Sequence, residues 1–274
     1  MRCDWESLLS VLPLWMRSDV NRLGKEDLQE LRLRLNHPPQ LILRDGRQAL
    51  NRMVTLDDLN FCVNTASRYS PWAASTIAQG FLTAPGGHRI GICGEAVCKN
   101  GNAETIRSVT SLCIRVARDF PGIGTGAPDR DSLLVLGPPG WGKTTLLRDL
   151  IRCRSETGIQ ISVVDERGEL FSGNAFSSGS CTDILTGCSK SQGIYMLLRT
   201  MGPVCIAVDE ITQPEDCTAL IQAAGCGVSL LATAHASSLE DLKRRPVYKP
   251  LLESGVFAQA LILRQDKTWR MERI

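Results

Sequence analysis

Residues Gly137-Pro-Pro-Gly-Trp-Gly-Lys-Thr144 decide the fold. They complete the pattern G-x-x-x-x-G-K-[ST], a phosphate-binding loop. The glycines let the backbone curl tightly and turn its N–H groups inward around phosphate oxygens. Lys143 adds a cation that reaches the β- and γ-phosphates, and the Thr144 hydroxyl can ligate Mg²⁺. The preceding run Asp131-Ser-Leu-Leu-Val-Leu136 reads as a buried strand. Thr144 to Arg154 reads as a helix whose positive N-terminal end faces the phosphates. This strand–loop–helix context assigns Gly137, Pro138, Pro139, Gly140, Trp141, Gly142, Lys143, Thr144 and Thr145 to the binding of a nucleotide.

Working outward, the rest of the C-terminal half alternates strand and helix, which predicts a parallel sheet. Strands are expected at Leu133–Leu136, Gln160–Val164, Val204–Val208, Val228–Ala232 and Ala260–Arg264, the last pairing with Thr268–Arg273. Helices are expected at Thr144–Arg154, Gln192–Met201, Pro214–Ala224 and Leu239–Arg244. The predicted class is α/β, a P-loop NTPase domain of the RecA/AAA kind, preceded by a smaller α+β domain.

The strand Val204-Cys-Ile-Ala-Val-Asp-Glu210 ends in two carboxylates at the sheet edge where ligands bind in open α/β folds. Asp209 is placed to hold hydrated Mg²⁺ with Thr144, as a Walker-B aspartate does. Glu210 is placed to orient or deprotonate the attacking water. A neighbouring strand ends in Asp165-Glu-Arg-Gly-Glu169, where Glu166 is the stronger candidate to assist Mg²⁺ or water. Another ends in Leu231-Ala-Thr-Ala-His-Ala236, where Thr233 and His235 are candidates to sense the γ-phosphate by hydrogen bonding. Catalysis thus falls to Lys143, Glu210, Glu166 and His235. A further cation is needed to complete such a site; Arg89, Arg107, Arg115 and Arg199 are the candidates.

The chain of 274 residues carries a net charge of +2, 43% hydrophobic and 22% charged residues, the profile of a soluble globular protein. No apolar run approaches the roughly 18 residues of a membrane span, and the N-terminus lacks the pattern of a signal peptide. Eleven cysteines are scattered without a C-x-x-C pair, and the three histidines supply no zinc spacing. A reducing, cytoplasmic setting is expected.

Upstream, Phe120-Pro-Gly-Ile-Gly-Thr-Gly-Ala-Pro-Asp-Arg-Asp131 is rich in Gly and Pro. It predicts a hinge over 121–131 between an N-terminal α+β domain, 1–120, and an ATPase domain, 132–274. In the N-terminal part, Glu6 to Met16 reads as a short helix interrupted at Pro13. Glu30-Leu-Arg-Leu-Arg-Leu-Asn36 alternates strictly, a half-buried strand with Arg32 and Arg34 on its open face. Helices are expected from Thr55 to about Arg68 and from Trp72 to Gln79. A turn is expected at Asn100-Gly101 between strands 88–97 and 112–118. The basic face of Arg32 and Arg34 raises a nucleic-acid-associated ATPase as the alternative. With a net charge of only +2 and no interleaved aromatic stripe, nucleic acid is not the expected partner.

Several blocks taken together resemble the stage III sporulation protein AA family, AAA-type ATPases of endospore-forming bacteria related to type II and type IV secretion ATPases. They are the phosphate loop, Val164-Asp-Glu-Arg-Gly-Glu169, Asp183-Ile-Leu-Thr-Gly-Cys-Ser-Lys190, Val208-Asp-Glu210 and Ala232-Thr-Ala-His-Ala-Ser-Ser-Leu-Glu-Asp-Leu-Lys-Arg-Arg-Pro246. The resemblance extends to Glu30–Leu35 and to Thr110-Ser-Leu-Cys-Ile-Arg-Val-Ala-Arg118, and so covers most of the chain. It implies that Asp165 and Glu166 match the acidic box of the secretion ATPases and His235 their histidine box. It also implies a self-associating, hexameric motor, held at the mother-cell side of the forespore membrane by membrane proteins of the same sporulation secretion complex. Gly168 stands where that family usually has serine, and the upstream region is cysteine-rich.

Overall fold

The computed structural model describes residues 2–67, 77–99, 102–171 and 176–274. The chain divides into two compact units, the first over Met1–Asp119 and Ser172–Phe176 and the second over Phe120–Phe171 and Ser177–Ile274.

In the first unit Pro13 separates two helices, α1 (Trp5–Val11) and α2 (Leu14–Gly24). A proline has no N–H to continue the ladder, but its fixed φ suits the start of the next helix. Asp4 caps α1 by accepting the Ser7 N–H at 3.2 Å. A third helix, α3, spans Leu56–Ser67. The helix expected over 72–79 and the turn at 100–101 lie largely outside the described residues. Six antiparallel strands form one sheet: β1 (Leu28–Arg34), β2 (Gln40–Leu43), β3 (Gly46–Ala49), β4 (Phe81–Thr83), β5 (Arg89–Lys99) and β6 (Asn102–Arg115), in the order β3-β2-β1-β6-β5-β4. The alternation in β1 resolves as predicted, with Leu31 and Leu33 fully buried. On its other side Arg32 pairs with Glu30, which also lies 3.6 Å from Arg115, and Arg34 donates to Gln40 at 3.0 Å. The basic face is therefore engaged within its own sheet.

The second unit holds a seven-stranded sheet of β7 (Leu133–Leu136), β8 (Ile161–Asp165), β9 (Thr182–Thr186), β10 (Cys205–Val208), β11 (Ser229–Ala234), β12 (Gln259–Leu263) and β13 (Trp269–Arg273). Their order is β13-β12-β7-β11-β10-β8-β9, parallel throughout except for the antiparallel edge pair β12–β13. The helices are α4 (Lys143–Glu156), α5 (Lys190–Thr200), α6 (Pro214–Gly225), α7 (Leu239–Lys243) and α8 (Lys249–Ser254). Each central strand is apolar on both faces because both faces are covered, as a parallel sheet requires. Leu133 and Val135 pack with α4 residues Leu146, Leu147, Leu150 and Ile151. Leu134 and Leu136 point the other way, to Ile194 and Leu197 of α5 and Leu220 and Ala223 of α6. β9 was not predicted: as a sheet edge its Thr-Asp-Ile-Leu-Thr stays half exposed and lacks the apolar run of its neighbours.

The segment expected as a hinge makes its contacts within this second unit. Asp149 on α4 accepts the N–H groups of Gly122 and Gly124 at 2.9 and 2.7 Å. The fully buried Arg154 donates to the carbonyls of Pro128 and Asp131 at 2.9 and 2.6 Å. Ile123 and Ala127 pack against the core that α4 shares with the sheet, and polar groups on α4 hold the rest of the run, which composition does not reveal. Among the described residues no helix is long and apolar enough to cross a membrane.

Gly193 on α5 lets that helix approach β8. A Cβ there would stand 2.5 and 2.9 Å from the two methyl carbons of Val164. Helix propensity alone favours Gly→Ala by about 1 kcal/mol, but a β-branched neighbour is stiff and overpacking costs about 1–3 kcal/mol. Gly193→Ala is expected to lower the melting temperature by about 2–6 °C; an unchanged or higher value in thermal denaturation would contradict this packing.

Candidate nucleotide site

The phosphate loop joins β7 to α4. Gly140 and Gly142 both lie in the left-handed region, with φ of 76° and 100°, where a side chain is strained. Gly142 caps α4, so Lys143 and Thr144 occupy its first turn. Lys143 is buried, and its ammonium donates to the Pro138 carbonyl at 3.1 Å and to His235 Nδ1 at 2.9 Å. Burial holds its pKa below that of an ordinary lysine, against the attraction of Asp209 and Glu210. Pro139 is exposed, while Trp141 and Thr145 are half-buried beside the loop.

The strand order explains how the remaining groups meet. β11 lies between β7 and β10, so its C-terminal end inserts Thr233 and His235 between the loop and the Asp209-Glu210 pair. Thr144 donates its hydroxyl to Asp209 Oδ2 at 2.6 Å. Thr233 donates to Asp209 Oδ1 at 2.6 Å and accepts the Glu210 N–H at 2.7 Å. Thr233 is completely buried; its contacts position the two acidic residues. Glu210 has φ of 57°, a rare conformation for a side-chain-bearing residue, which its bond to Thr233 helps hold.

His235 bridges the site. Its Nδ1 accepts from Lys143, so the Nε2–H is the donor that bonds Glu210 Oε1. One neutral tautomer satisfies both contacts. Burial pushes the Glu210 carboxyl up, but the His235 hydrogen bond, Arg167 at 3.6 Å and Lys143 hold it below the usual carboxylate range. Glu210 is therefore more readily ionised than an ordinary glutamate.

Asp165 holds the turn that follows β8. Its carboxylate accepts the N–H groups of Glu169, Leu170 and Phe171 at 2.8, 2.9 and 3.3 Å. It caps its own turn, and burial raises its pKa. Glu166 pairs with the Lys190 ammonium on α5 and lines, with Asp209 and Glu210, a water-sized cavity of about 30 Å³. Of the arginines expected to complete the site, Arg107 pairs with Glu95 at 2.7 Å, Arg115 with Glu30, and Arg89 lies over the Phe81 ring. Arg199 is exposed on α5. The arginine beside the carboxylates is Arg167, which the sequence reading passed over along with Lys190; their place in the acidic turn and at the start of α5 was the available signal.

The donor set fits the expected ligands. A hydroxyl and a carboxylate, both hard oxygen donors, converge at Thr144 and Asp209, which suits Mg²⁺ held jointly by protein and phosphates. The positive loop, the helix start and a pre-placed ammonium suit polyphosphate. Among the described residues no group of three or more His, Cys, Asp or Glu side chains could hold a metal by itself, as expected where phosphate oxygens and water complete the coordination.

A family model described as Sporulation stage III, protein AA matches residues 6–271. Stage III sporulation protein AA of Bacillus subtilis (strain 168) is 34% identical, the match covering 95% of this chain and 91% of that protein. Among solved structures, the pilus retraction motor PilT with bound ADP aligns with a TM-score of 0.67 at 17% identity, over 90% of this chain and 76% of that one. The ATPase DotB of Legionella pneumophila aligns with a TM-score of 0.62 at 17% identity, over 96% and 80%. At such identities these two structures speak to the shared fold.

Proposed function

Since the chain belongs to the Sporulation stage III, protein AA family, we propose that it is a Mg²⁺-dependent ATPase motor that energises a secretion-like membrane complex during endospore formation. The observation that carries the hydrolytic part is the chain of contacts from Lys143 through His235 to Glu210, beside Thr144 and Asp209. Lys143 and the loop N–H groups bind and orient the triphosphate. Thr144 and Asp209 hold Mg²⁺, which when bound offsets charge on the phosphates. Glu210 accepts the proton of the attacking water. His235, hydrogen-bonded to both Lys143 and Glu210, links occupancy of the phosphate site to the position of the base. Glu166 orders water in the neighbouring cavity.

The motor part rests on the fold shared with PilT and DotB and on the family. In this reading the 1–120 domain engages partners, the chain assembles as a hexamer, and it works on the cytoplasmic, mother-cell face of the membrane, held there by membrane proteins of its complex. The test is to measure oligomeric mass and ATP turnover of the full chain with and without those proteins. Assembly to six chains of 30.0 kDa and faster turnover with the partners are expected. A monomer at every concentration, with turnover indifferent to them, refutes the motor.

A further inference from the structure

The function proposed above gives no role to one block of the sequence, Asp183-Ile-Leu-Thr-Gly-Cys-Ser-Lys190. In the fold this block delivers a cation to the acidic turn. β9 runs parallel to β8, with Thr186 paired to Asp165. The segments that leave the two strands therefore emerge side by side, Glu166 after β8 and Gly187 to Lys190 after β9. Gly187, with φ of 79°, turns the chain. Ser189 then caps α5, accepting the Gln192 N–H at 3.4 Å. Lys190 is the first residue of α5; it is buried, and its ammonium donates to the Glu166 carboxylate. Gly193, one turn on, lets α5 lie close against Val164 and so brings this helix start within reach of the turn.

Stability does not account for a lysine at this place. A cation in the first turn of a helix opposes the macrodipole, and burying an ammonium costs free energy. Its partner Glu166 has a side chain 38% exposed, and a pair open to solvent returns little. The surroundings supply another reason. The water-sized cavity beside the pair is lined by five acidic residues, among them Glu166, Asp209 and Glu210, and by two cations, Lys190 and Arg167. Carboxylates so close repel one another. A larger polar cavity of about 460 Å³ shares Glu166, Arg167, Lys190 and Glu210 with the small one. A Glu166 that is not held would turn into that open space, away from Asp209 and Glu210.

We propose that Lys190 is a positioning residue for hydrolysis: its ammonium keeps Glu166 turned into the small cavity, so that water there is held between Glu166 and Glu210. The cavity has room for a water and offers the polar partners a water needs. Lys190 acts through Glu166 alone. The proposal rests on the hydrolytic reading above.

The test is a double-mutant cycle on the full chain, with Mg²⁺ and the partner proteins present, together with calorimetric binding of ATP. Lys190→Met keeps the apolar stem and removes the charge. It is expected to lower kcat by about ten- to a hundredfold, the cost of a misplaced group, and to leave KM and the Kd for ATP within about threefold. In a Glu166→Gln background the same change is expected to lower kcat by no more than about twofold, because the partner it positions is already gone. Lys190→Gln repeats the cycle if the methionine variant folds poorly. Wild-type turnover in Lys190→Met, a loss that appears in KM or Kd and not in kcat, or the same loss of kcat in both backgrounds overturns the proposal, the last by showing that Lys190 supports the helix and not Glu166. Turnover that stops in Glu210→Gln but survives in Lys190→Met refutes the positioning alone. ATP that binds without being turned over by the wild type, or normal turnover in Glu210→Gln, refutes the hydrolytic reading and this proposal with it.

Discussion

Lys143→Ala is expected to weaken ATP binding by at least about a hundredfold, a loss of ~3 kcal/mol or more, with little change in the stability of the free protein. The two effects separate because of where the charge sits. Lys143 is buried at the first turn of α4, and its ammonium is satisfied by one carbonyl and one imidazole, not by a direct ion pair. Burial dominates and lowers its pKa, so the charged form is less favourable in the folded protein than in the unfolded chain. An amine of that kind does not stabilise the empty fold through its charge. Its attraction is held in reserve for an anion. Removing it should therefore shift the melting temperature of the free protein by no more than about 4 °C, roughly 1 kcal/mol for a domain of this size. The rise in melting temperature that ATP gives the wild type, equivalent to ~2.7 kcal/mol at a hundred times Kd, should disappear. A variant that binds ATP normally would show that the loop does not grip phosphate in this chain.

Glu210→Gln is expected to keep ATP binding within about threefold and to lower turnover by a hundredfold or more, the usual worth of a positioned general base. The amide is isosteric, and its oxygen can still accept from His235 Nε2–H. The left-handed backbone at Glu210 and the Thr233 contact to its N–H do not depend on the side-chain charge. What is lost is the proton acceptor and the partner of Arg167. Single-turnover measurement with bound ATP separates this from weaker binding. Turnover at the wild-type rate would mean that another group, with Glu166 the first to examine, activates the water.

Much of the site is legible in local chemistry. Strand, loop and helix around 133–156 follow from an apolar run, three glycines and a Lys-Thr pair, because a phosphate loop is a contiguous device. Glu210 and Asp209 are legible because an apolar strand ending in two carboxylates has few other uses beside such a loop. What Asp165 binds is not legible: only the structure shows its oxygens accepting three N–H groups of its own turn. The contacts of the 121–131 run are not legible because the groups that bind it, Asp149 and Arg154, sit on α4, distant in sequence. β9 escapes notice because an edge strand can remain polar.

By itself the sequence determined that this chain carries a nucleotide grip, a parallel α/β sheet and a membership in one sporulation family. Those properties are written in short contiguous patterns whose physics is local. Tertiary structure alone decided which groups act together. The placing of β11 between β7 and β10 brings His235 against both Lys143 and Glu210, and sets Thr233 against both acidic residues. It also joins Trp141 to Ile123 and Leu263 around one cavity, from three distant stretches of chain. Such pairings depend on strand order and crossover, long-range features that no window of residues contains.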